Sequence, residues 1–501
     1  MQEIILHNLE SINDFIDSLD EQDLLPIQQW KELLKLASCR EENVVFIALF
    51  NKKLKAGALF YEGIRRIATL SNKSLFLYGY EFFDFNPIYI CKGYEKSYIS
   101  TLKNYATFNN IKWLIFENLY QKTKLNSYYS VEEKISLFDK DEESFTSLYS
   151  KKGIKRHRKK VVDNFNYSVR HLTDSEITDE HIDRLEKLHK ERWSFDGVSS
   201  SFNEEKRKTF YSANKKNKLL TIIYASDEII AMHFGILSKH SLLFHTPVIN
   251  VKFYPFSPMS LIMYELAFYC HQNNLKELNF GLGEESYKSR FSNKTNSVLT
   301  YYFPLGFFNK FMFSVFFILS KKQKIIRASV GNIKNVIRYV LSQKNRVNFY
   351  RFEVKSNLIS NRNDLSFLKI NDYSSLVDEF RKSNLIVKRY HYKRMKNGDV
   401  FYCLKTENQI VSYGWSTSKP LYVSEKNKVI SKPNSYILYD FFTLFSHRNS
   451  GLYQYLLKNI LSILDEGKFA YIYALSTNVP SNRAILKIGF KKIKSKFVFN
   501  A

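Results

Sequence analysis

An apolar run, Asp440-Phe-Phe-Thr-Leu-Phe-Ser-His447, meets a short polar turn, and a helix-spaced pattern (Leu452, Tyr455, Leu456, Leu457, Ile460, Leu461) opens directly on that turn. A strand that feeds a helix this way makes an anion cradle, because the first N–H groups of the helix have no partner within it and its dipole is positive there. The residues of the cradle are Arg448, Asn449, Ser450, Gly451, Leu452 and Tyr453, with Arg448 adding positive charge. Ser257-Pro258-Met259, ahead of the apolar stretch Leu261 to Gln272, is a second such junction; Pro258 suits a first helical turn and Ser257 its N-cap. Asp440 sits mid-strand among apolar residues. A carboxylate there is costly unless paired or functional, and burial raises its proton affinity toward that of a useful base. General base or acceptor anchor is therefore one expectation, and structural pairing with a nearby Arg or Lys the other. His233 and His245 lie on neighbouring strand-like runs and could face one cleft, with Glu284, Tyr287 and Lys288 near its mouth. Histidine is the natural base at neutral pH and Lys288 could meet a donor phosphate, although a single strand histidine is more often a satisfied core residue and an exposed lysine more often merely solvated.

These residues need elements to hold them. A prior of about 150 residues per domain gives three units or so for 501 residues. Residues 1–130 read as a mixed α/β unit, with a hairpin of Val44 to Phe50 and Leu54 to Phe60 about the turn Asn51-Lys-Lys. Residues 131–302 read as a second α/β unit, with helix Ile182 to Trp193, strands Leu220 to Tyr224, Ile229 to Leu237 and Ser241 to Thr246, and a buried strand at Leu278 to Phe280. Residues 303–364 form a basic helical connector without clear strand patterns, and residues 365–501 repeat the plan: strand, helix, hairpin, strand Tyr436 to Phe445, helix Leu452 to Leu464, strand Ala470 to Leu475, helix Asn482 to Ile488. The expected class is α/β (α+β layered), with mixed central sheets flanked by helices.

Composition bounds the partners. Lys and Arg outnumber Asp and Glu by 75 to 49, for a formal charge of +26, which favours anionic partners; a Lys-, Asn-, Ile- and Phe-rich composition can equally reflect a biased genome. Cys39, Cys91, Cys270 and Cys403 form no Cys-x-x-Cys pair and have no histidine at metal spacing, so no metal and no disulfide framework is expected. The acidic N-terminus argues against a signal peptide, and a cytoplasmic location is expected. Pro304, Gly306, Asn309 and Lys310 interrupt the apolar run from Phe303 to Leu319. A buried docking helix is the preferred reading of that run; an interfacial helix is the other, since Lys321, Lys322, Lys324 and Arg327 follow it and could meet anionic headgroups. Lys151 to Lys160 holds seven Lys or Arg in ten residues and reads as a solvated helix face.

At this point the residues carry resemblances. The third unit resembles the GNAT acyltransferases: Arg448-Asn-Ser-Gly451-Leu-Tyr453 matches their phosphate-binding motif, and Asn478-x-x-Ser481 followed by Lys487-Ile-Gly489-Phe490 matches the later half of their signature. Two positions depart, Tyr453 for a small residue and Asn449 for a common Gly. The resemblance implies a coenzyme A arm in a gap between the fourth and fifth strands, and Asn478 holding the pantetheine or positioning the acceptor. Ile485 stands where many members place a tyrosine that protonates the leaving thiolate, which leaves that role to Tyr453 or to water. Residues about 40–300 resemble the CelD-like acyltransferases, related to the FemAB transferases, through Tyr80-Glu-Phe-Phe-Asp84, Leu188-His-Lys-Glu-Arg-Trp193, Tyr254 to Met259 and Gly281-Leu-Gly-Glu-Glu-Ser-Tyr287-Lys288. Such proteins pair two GNAT-like folds, and the second is the expected catalytic half.

Together these imply a bacterial tandem acyltransferase using acetyl-CoA or another acyl-CoA. Its acceptor would be an amine or hydroxyl on a small molecule or glycan, an amino sugar or polysaccharide precursor, with a peripheral contact at the inner membrane face left open. The competing readings are a FemAB-type transferase drawing on aminoacyl-tRNA, the one setting in which nucleic acid is expected, and a non-catalytic acyl-CoA-binding scaffold.

Overall fold

Val44-Val-Phe-Ile-Ala-Leu49 is buried at every position, as a run without alternation must be when both faces of its sheet are covered. The computed structural model describes residues 2–19, 25–39, 44–67, 70–79, 86, 88–120, 125, 127, 129–213, 217–283, 285–311, 314, 347–355, 362, 364–407, 409–423 and 428–494. Tyr80 to Asp84, Glu284, the four cations Lys321, Lys322, Lys324 and Arg327, and most of the apolar run before them lie outside the described residues. Two units emerge, Met1–Arg192 with Ser199–Lys322, and Trp193–Val198 with Gln323–Ala501.

The first unit runs β1 (Gln2–Leu6), α1 (Leu9–Asp17), α2 (Leu25–Cys39), β2 (Val44–Asn51), β3 (Lys53–Ile67), β4 (Leu70–Leu77), β5 (Ile88–Ile90), α3 (Glu95–Phe108), β6 (Trp113–Tyr120), β7 (Tyr129–Asp139), α4 (Phe145–Ser150), α5 (Lys152–Val162), β8 (Tyr167–Thr173), α6 (Asp179–Asp196), α7 (Glu205–Ala213), β9 (Lys218–Ala225), β10 (Glu228–Leu237), β11 (Ser241–Ile249), α8 (Pro258–Gln272), β12 (Glu277–Leu282), α9 (Ser286–Phe291) and β13 (Lys294–Pro304). The β2–β3 hairpin turns at Lys52, in the left-handed region with φ 60°. Among the described residues one sheet joins all thirteen strands in the order β1-β2-β3-β4-β6-β13-β7-β12-β11-β10-β9-β8, with β5 on β3. The seam is a strand exchange. β7 leaves the first half yet pairs with β12 of the second, and β13 leaves the second half to pair with β6 of the first, while β7 and β13 pair with each other from Tyr129↔Tyr302 to Leu137↔Lys294.

The basic segment forms α5, which turns Ile154 and Val161 inward. Arg158 is drawn out of the solvated face: its Nε donates to Glu265 Oε1 at 3.4 Å, and its guanidinium lies over Tyr167 and Tyr264. Burial raises the Glu265 carboxyl above its ordinary range.

The second unit contains β14 (Val347–Glu353), β15 (Ser366–Ile370), α10 (Tyr373–Lys382), α11 (Arg389–Asn397), β16 (Val400–Lys405), β17 (Ile410–Thr417), β18 (Leu421–Val423), β19 (Lys428–Ile430), β20 (Ser435–Thr443), α12 (Leu452–Ser462), β21 (Phe469–Leu475), α13 (Val479–Ile488) and β22 (Lys491–Ile493). Its described main sheet has the order β15-β16-β17-β20-β21-β14-β22. β14 corrects the expectation of a strand-free connector: Val347-Asn-Phe-Tyr-Arg-Phe-Glu353 pairs with both β21 and β22, since only the partner strands give this short mixed run a buried face. The core of this unit sets Leu452, Leu456, Leu457, Ile460 and Leu461 of α12 against sheet residues such as Tyr350, Leu404, Leu438 and Ile472.

A buried ion pair ties α2 to β9. Lys218 Nζ lies 3.0 Å from Glu32 Oε2, with side chains 0% and 7% exposed. Removing one partner leaves an uncompensated buried charge, which costs about 3–5 kcal/mol, whereas replacing both with apolar groups of similar volume is close to neutral. Glu32→Ala is thus expected to lower the urea midpoint of the first unit, and Glu32→Leu with Lys218→Met to recover most of it; equal loss in both variants contradicts this account.

Candidate functional site

The site of the second unit begins with a misfit between two strands. Tyr413 of β17 pairs with Phe442 of β20 and Trp415 pairs with Tyr439, so β17 advances two residues while β20 advances three. The extra residue is a bulge at Asp440-Phe441, with Asp440 in the left-handed region at φ 52°, a conformation that Asp tolerates better than most residues. Gly414 lies opposite: a Cβ there would sit 2.4 Å from Phe441 Cε1, so the absence of a side chain gives Phe441 its place.

β20 runs parallel to β21, paired from Ser435↔Phe469 to Leu438↔Ile472, and the ladder ends at the bulge. Beyond it β21 still pairs with β14 on its far side, up to Leu475. Tyr473 and Ala474 on one side and Tyr439 to Phe441 on the other therefore border a gap, which opens into a cavity of about 870 Å³. Tyr453 of α12, Asn478 and Ser481 at the start of α13, and Tyr390, Lys393 and Arg394 of α11 complete much of its wall. Two helix N-termini thus border one cavity.

The turn before α12 is built as a cradle. Asn449 and Gly451 take φ 66° and 76°, and Gly451 is the N-cap without a side-chain capping bond. Tyr455 N–H donates to Gly451 O at 3.0 Å as the first turn closes, so the N–H groups before it belong to the open end of the helix. Ser450 Oγ donates to His447 O at 2.5 Å. Arg448 folds back, its Nε donating to Thr443 O at 3.2 Å and its guanidinium over the Phe445 ring. Arg362, which the sequence did not single out, reaches the same turn, with Nη1 3.4 Å from Ser450 O. Leu452 points the other way, into the core.

One expectation, a buried Asp440, is overturned here, and the alternative of pairing with an arginine is what the fold shows. Asp440 is exposed rather than buried, because the bulge turns it out of the sheet, and it pairs with Arg394. Arg394 is itself clasped by rings, its guanidinium 4.7 Å from the Tyr390 centroid, 5.1 Å from Trp415 and 4.9 Å from Tyr439. Asn478 Oδ1 is the N-cap acceptor for Ser481 N–H at 3.2 Å, which commits that oxygen to the helix. The buried carboxylate beside the cavity is instead Asp399, 5% exposed, which accepts from Tyr439 OH at 2.5 Å and Asn397 Nδ2 at 2.9 Å. Ile485, at the position where many GNAT members place a tyrosine, is fully buried. Tyr453 lines the cavity with its ring edge-on to Phe441 at 5.3 Å, and burial followed by the neighbouring Tyr350 pushes its phenol well above the ordinary range.

The second half of the first unit repeats the device. Phe234 pairs with Thr246 and Ile236 with Leu243, which places a bulge at Phe244-His245 opposite Gly235. The parallel β11–β12 ladder again ends there, at Leu243↔Asn279. A Cβ on Gly235 would lie 2.7 Å from His233 Cε1. Ser257, Pro258 and Met259 form the start of α8, but Ser257 sits in the left-handed region at φ 56° and its side chain does not cap the helix as expected.

The two histidines do not share a cleft. His233 stacks on Phe244 at 4.6 Å, and Phe244 packs in the core that includes α8. His245 lies instead beside Phe210 and Tyr211 of α7, with its Nδ1 3.3 Å from Tyr211 Oη and 2.9 Å from Thr246 Oγ1. The bulge separates their environments. Lys288 is buried and committed, donating to Leu282 O and lying 2.9 Å from Glu285 Oε2, so its ammonium is neither solvated nor open to a phosphate. Tyr287 belongs to α9.

Among the described residues neither ring nitrogen of His233 has a hydrogen-bond partner, and burial, then the charges of His245 and His171, hold its pKa down to about 3. The imidazole is neutral in the fold and gains a proton far more readily when the chain unfolds. Its contribution to stability is whole above about pH 6.5 and shrinks as pH falls from there toward 3. Between pH 6.5 and 5 the loss from this group is on the order of 2 kcal/mol, and His233→Phe is expected to lack that part of the pH dependence of the urea midpoint. Identical pH dependence in both proteins contradicts it.

Residues 150–289 match the family model described as an acetyltransferase (GNAT) domain. No curated protein sequence matches the chain. Among solved structures the chain is similar to FemX, at 9% identity and TM-score 0.44 over 63% of this chain and 99% of that one. It is also similar to L-PGS from Bacillus licheniformis, at 12% identity and TM-score 0.39 over 57% and 91%. A third is a GCN5-related N-acetyltransferase from Kribbella flavida, at 8% identity and TM-score 0.32 over 60% and 70%. The family match covers the bulged, splayed strands β10 to β12 and the cradle of α8, and by it the chain resembles the GNAT acyltransferases and carries a transferase fold of their type.

Proposed function

We propose that this protein is an acyl-CoA-dependent acyltransferase, moving an acetyl or longer acyl group to an amine or hydroxyl of an amino sugar or polysaccharide precursor. The observation that carries the reading is the cavity of about 870 Å³ in the gap between β20 and β21, bordered by two helix N-termini. Strand edges that have parted expose backbone amides to which the amide-bearing arm of coenzyme A can add as a strand would. Its pyrophosphate suits the N–H groups from Asn449 to Tyr453, with Arg448 and Arg362 beside them.

In the reaction, the acceptor nitrogen or oxygen attacks the thioester carbonyl and loses its proton, the C–S bond breaks, and the thiolate departs on coenzyme A. Asp440, exposed and held by Arg394 at the cavity wall, suits an acceptor anchor, or a base reached through water. Exposed Tyr390 and Tyr422 on the same wall offer flat faces to a sugar ring. Tyr453 stays a neutral phenol, so it serves the leaving sulfur as a hydrogen-bond donor.

Titration with acetyl-CoA, read calorimetrically, tests the reading. Saturable binding is expected, with a loss of about tenfold or more in Arg448→Glu, since one hydrogen bond to a charged group contributes about 1.5–3 kcal/mol. Absence of binding, or an Arg448→Glu protein indistinguishable from wild type, defeats the proposal. Tyr453→Phe should keep donor affinity while kcat falls roughly tenfold; an unchanged kcat removes the tyrosine from the chemistry.

A second reading, transfer of an aminoacyl group from tRNA, is favoured by the exposed cations Lys152, Lys155, Arg156, Lys159 and Lys160 of α5. It predicts protection of α5 by aminoacyl-tRNA in hydrogen exchange and no binding of acetyl-CoA. Acetyl-CoA binding without release of free coenzyme A in the presence of amino sugars would instead mark a scaffold.

A further inference from the structure

At one end of the first unit, three segments distant in sequence are tied together. Lys112 N–H donates to Lys73 O at 2.8 Å, and Leu305 N–H donates to Lys112 O at 2.9 Å. Pro304 pairs with Trp113 where β13 leaves the sheet. The end of α3 with the turn after it and the chain that leaves β13 are therefore neighbours by backbone bonding, and together they carry large apolar side chains that stand exposed. Phe108 is 91% exposed, Phe307 87%, Phe308 64% and Phe311 57%. Ile64, opposite Lys73 in the β3–β4 ladder, is 79% exposed. Single exposed apolar residues need no account, but a group contributed by separate elements marks a surface with a partner.

Among the described residues the exposed charges beside this group are mainly lysines. Lys73, Lys103 and Lys310 are exposed, and Lys112 is partly so. Glu62 and Glu3 lie along α3, and both are engaged, Glu62 by Lys73 Nζ at 2.8 Å and Tyr105 OH at 2.5 Å and Glu3 by Thr101 Oγ1 at 2.6 Å. In sequence, no Asp or Glu occurs from Ser286 to Phe352. A second copy of this chain docking on the same patch would bring lysine against lysine. A surface that accepts rings into an apolar layer and offers anions just above it meets both requirements at once.

We infer that the end of the first unit formed by Phe108, Phe307, Phe308 and Phe311 with Lys103 and Lys310 docks on an anionic lipid bilayer. The rings enter the boundary between headgroups and acyl chains, and the ammonium groups meet lipid phosphates. Such binding is peripheral and reversible, and weakens with salt. It stands apart from the acyl-CoA reading, since none of these residues lines the cavity of the second unit.

The test is sedimentation of the full chain with vesicles of phosphatidylcholine alone and of equimolar phosphatidylcholine and phosphatidylglycerol. The wild type is expected to bind the anionic vesicles at least about tenfold more tightly than the neutral ones. Phe108→Ser with Phe307→Ser and Phe308→Ser should lose about tenfold or more on anionic vesicles, and Lys103→Glu with Lys310→Glu should abolish the preference for phosphatidylglycerol. Because these side chains are exposed, both variants should keep the wild-type unfolding midpoint, which separates lost docking from lost folding. The inference is overturned if the wild type stays in the supernatant. It is equally overturned if the serine variant sediments like the wild type, if binding is lost only in Lys155→Glu with Lys159→Glu on α5, or if the wild type self-associates without lipid and the serine variant does not.

Discussion

A bulge bends the strand that carries it, and where the bend points away from a parallel neighbour the ladder between the two ends. At Asp440-Phe441 the extra residue turns β20 away from β21, and a glycine on β17 gives the displaced ring room to lie flat. Everything at the candidate site follows from this parting. It frees strand edges for an extended ligand, sets the mouth of the cavity beside the N-termini of α12 and α13, and carries Asp440 outward to meet Arg394. The first unit solves the same problem with the same parts, a bulge at Phe244-His245, Gly235 opposite, and a parallel ladder that stops at Leu243. Two occurrences in chains of unrelated local sequence point to a geometric requirement rather than a local accident.

The polar groups of the two units are settled in contrasting ways. Around the cavity, charge is managed by pairing and by rings: Arg394 among Tyr390, Trp415 and Tyr439, and Asp399 under the Tyr439 hydroxyl. In the first unit, Lys218 and Glu32 carry a buried pair between α2 and β9, whereas His233 is buried with neither nitrogen engaged by any described residue. Burial without a partner suppresses charge, and burial with a partner sustains it. That difference explains why a histidine that looked suited to catalysis is held neutral, and why Lys288, already bound to Glu285, has no free ammonium to offer a phosphate.

Legibility of the chain followed the range of the forces involved. The β2–β3 hairpin, α8, α12 and the flanking strands could be read because hydrophobic period and turn chemistry are local properties. β14 escaped, since Val347 to Glu353 is a strand only where β21 and β22 accept it, and so did the exchange of β7 and β13 across the first unit. At the site, the turn Arg448 to Tyr453 was legible from its residues. Arg362, Arg394, Asp399 and Tyr439 were not, for each matters through a neighbour remote in sequence.

The sequence by itself determined the cradles at Gly451 and Ser257, the helices that open on them, the excess of positive charge and the resemblance to GNAT acyltransferases, because each resides in adjacent residues or in composition. Only the tertiary structure decided that Asp440 is turned outward, that His233 and His245 belong to different environments, and that Phe108 and the phenylalanines after β13 stand exposed on segments tied by backbone bonds. A bulge in one strand has meaning only against its partner, and exposure is a property of what the rest of the chain leaves uncovered.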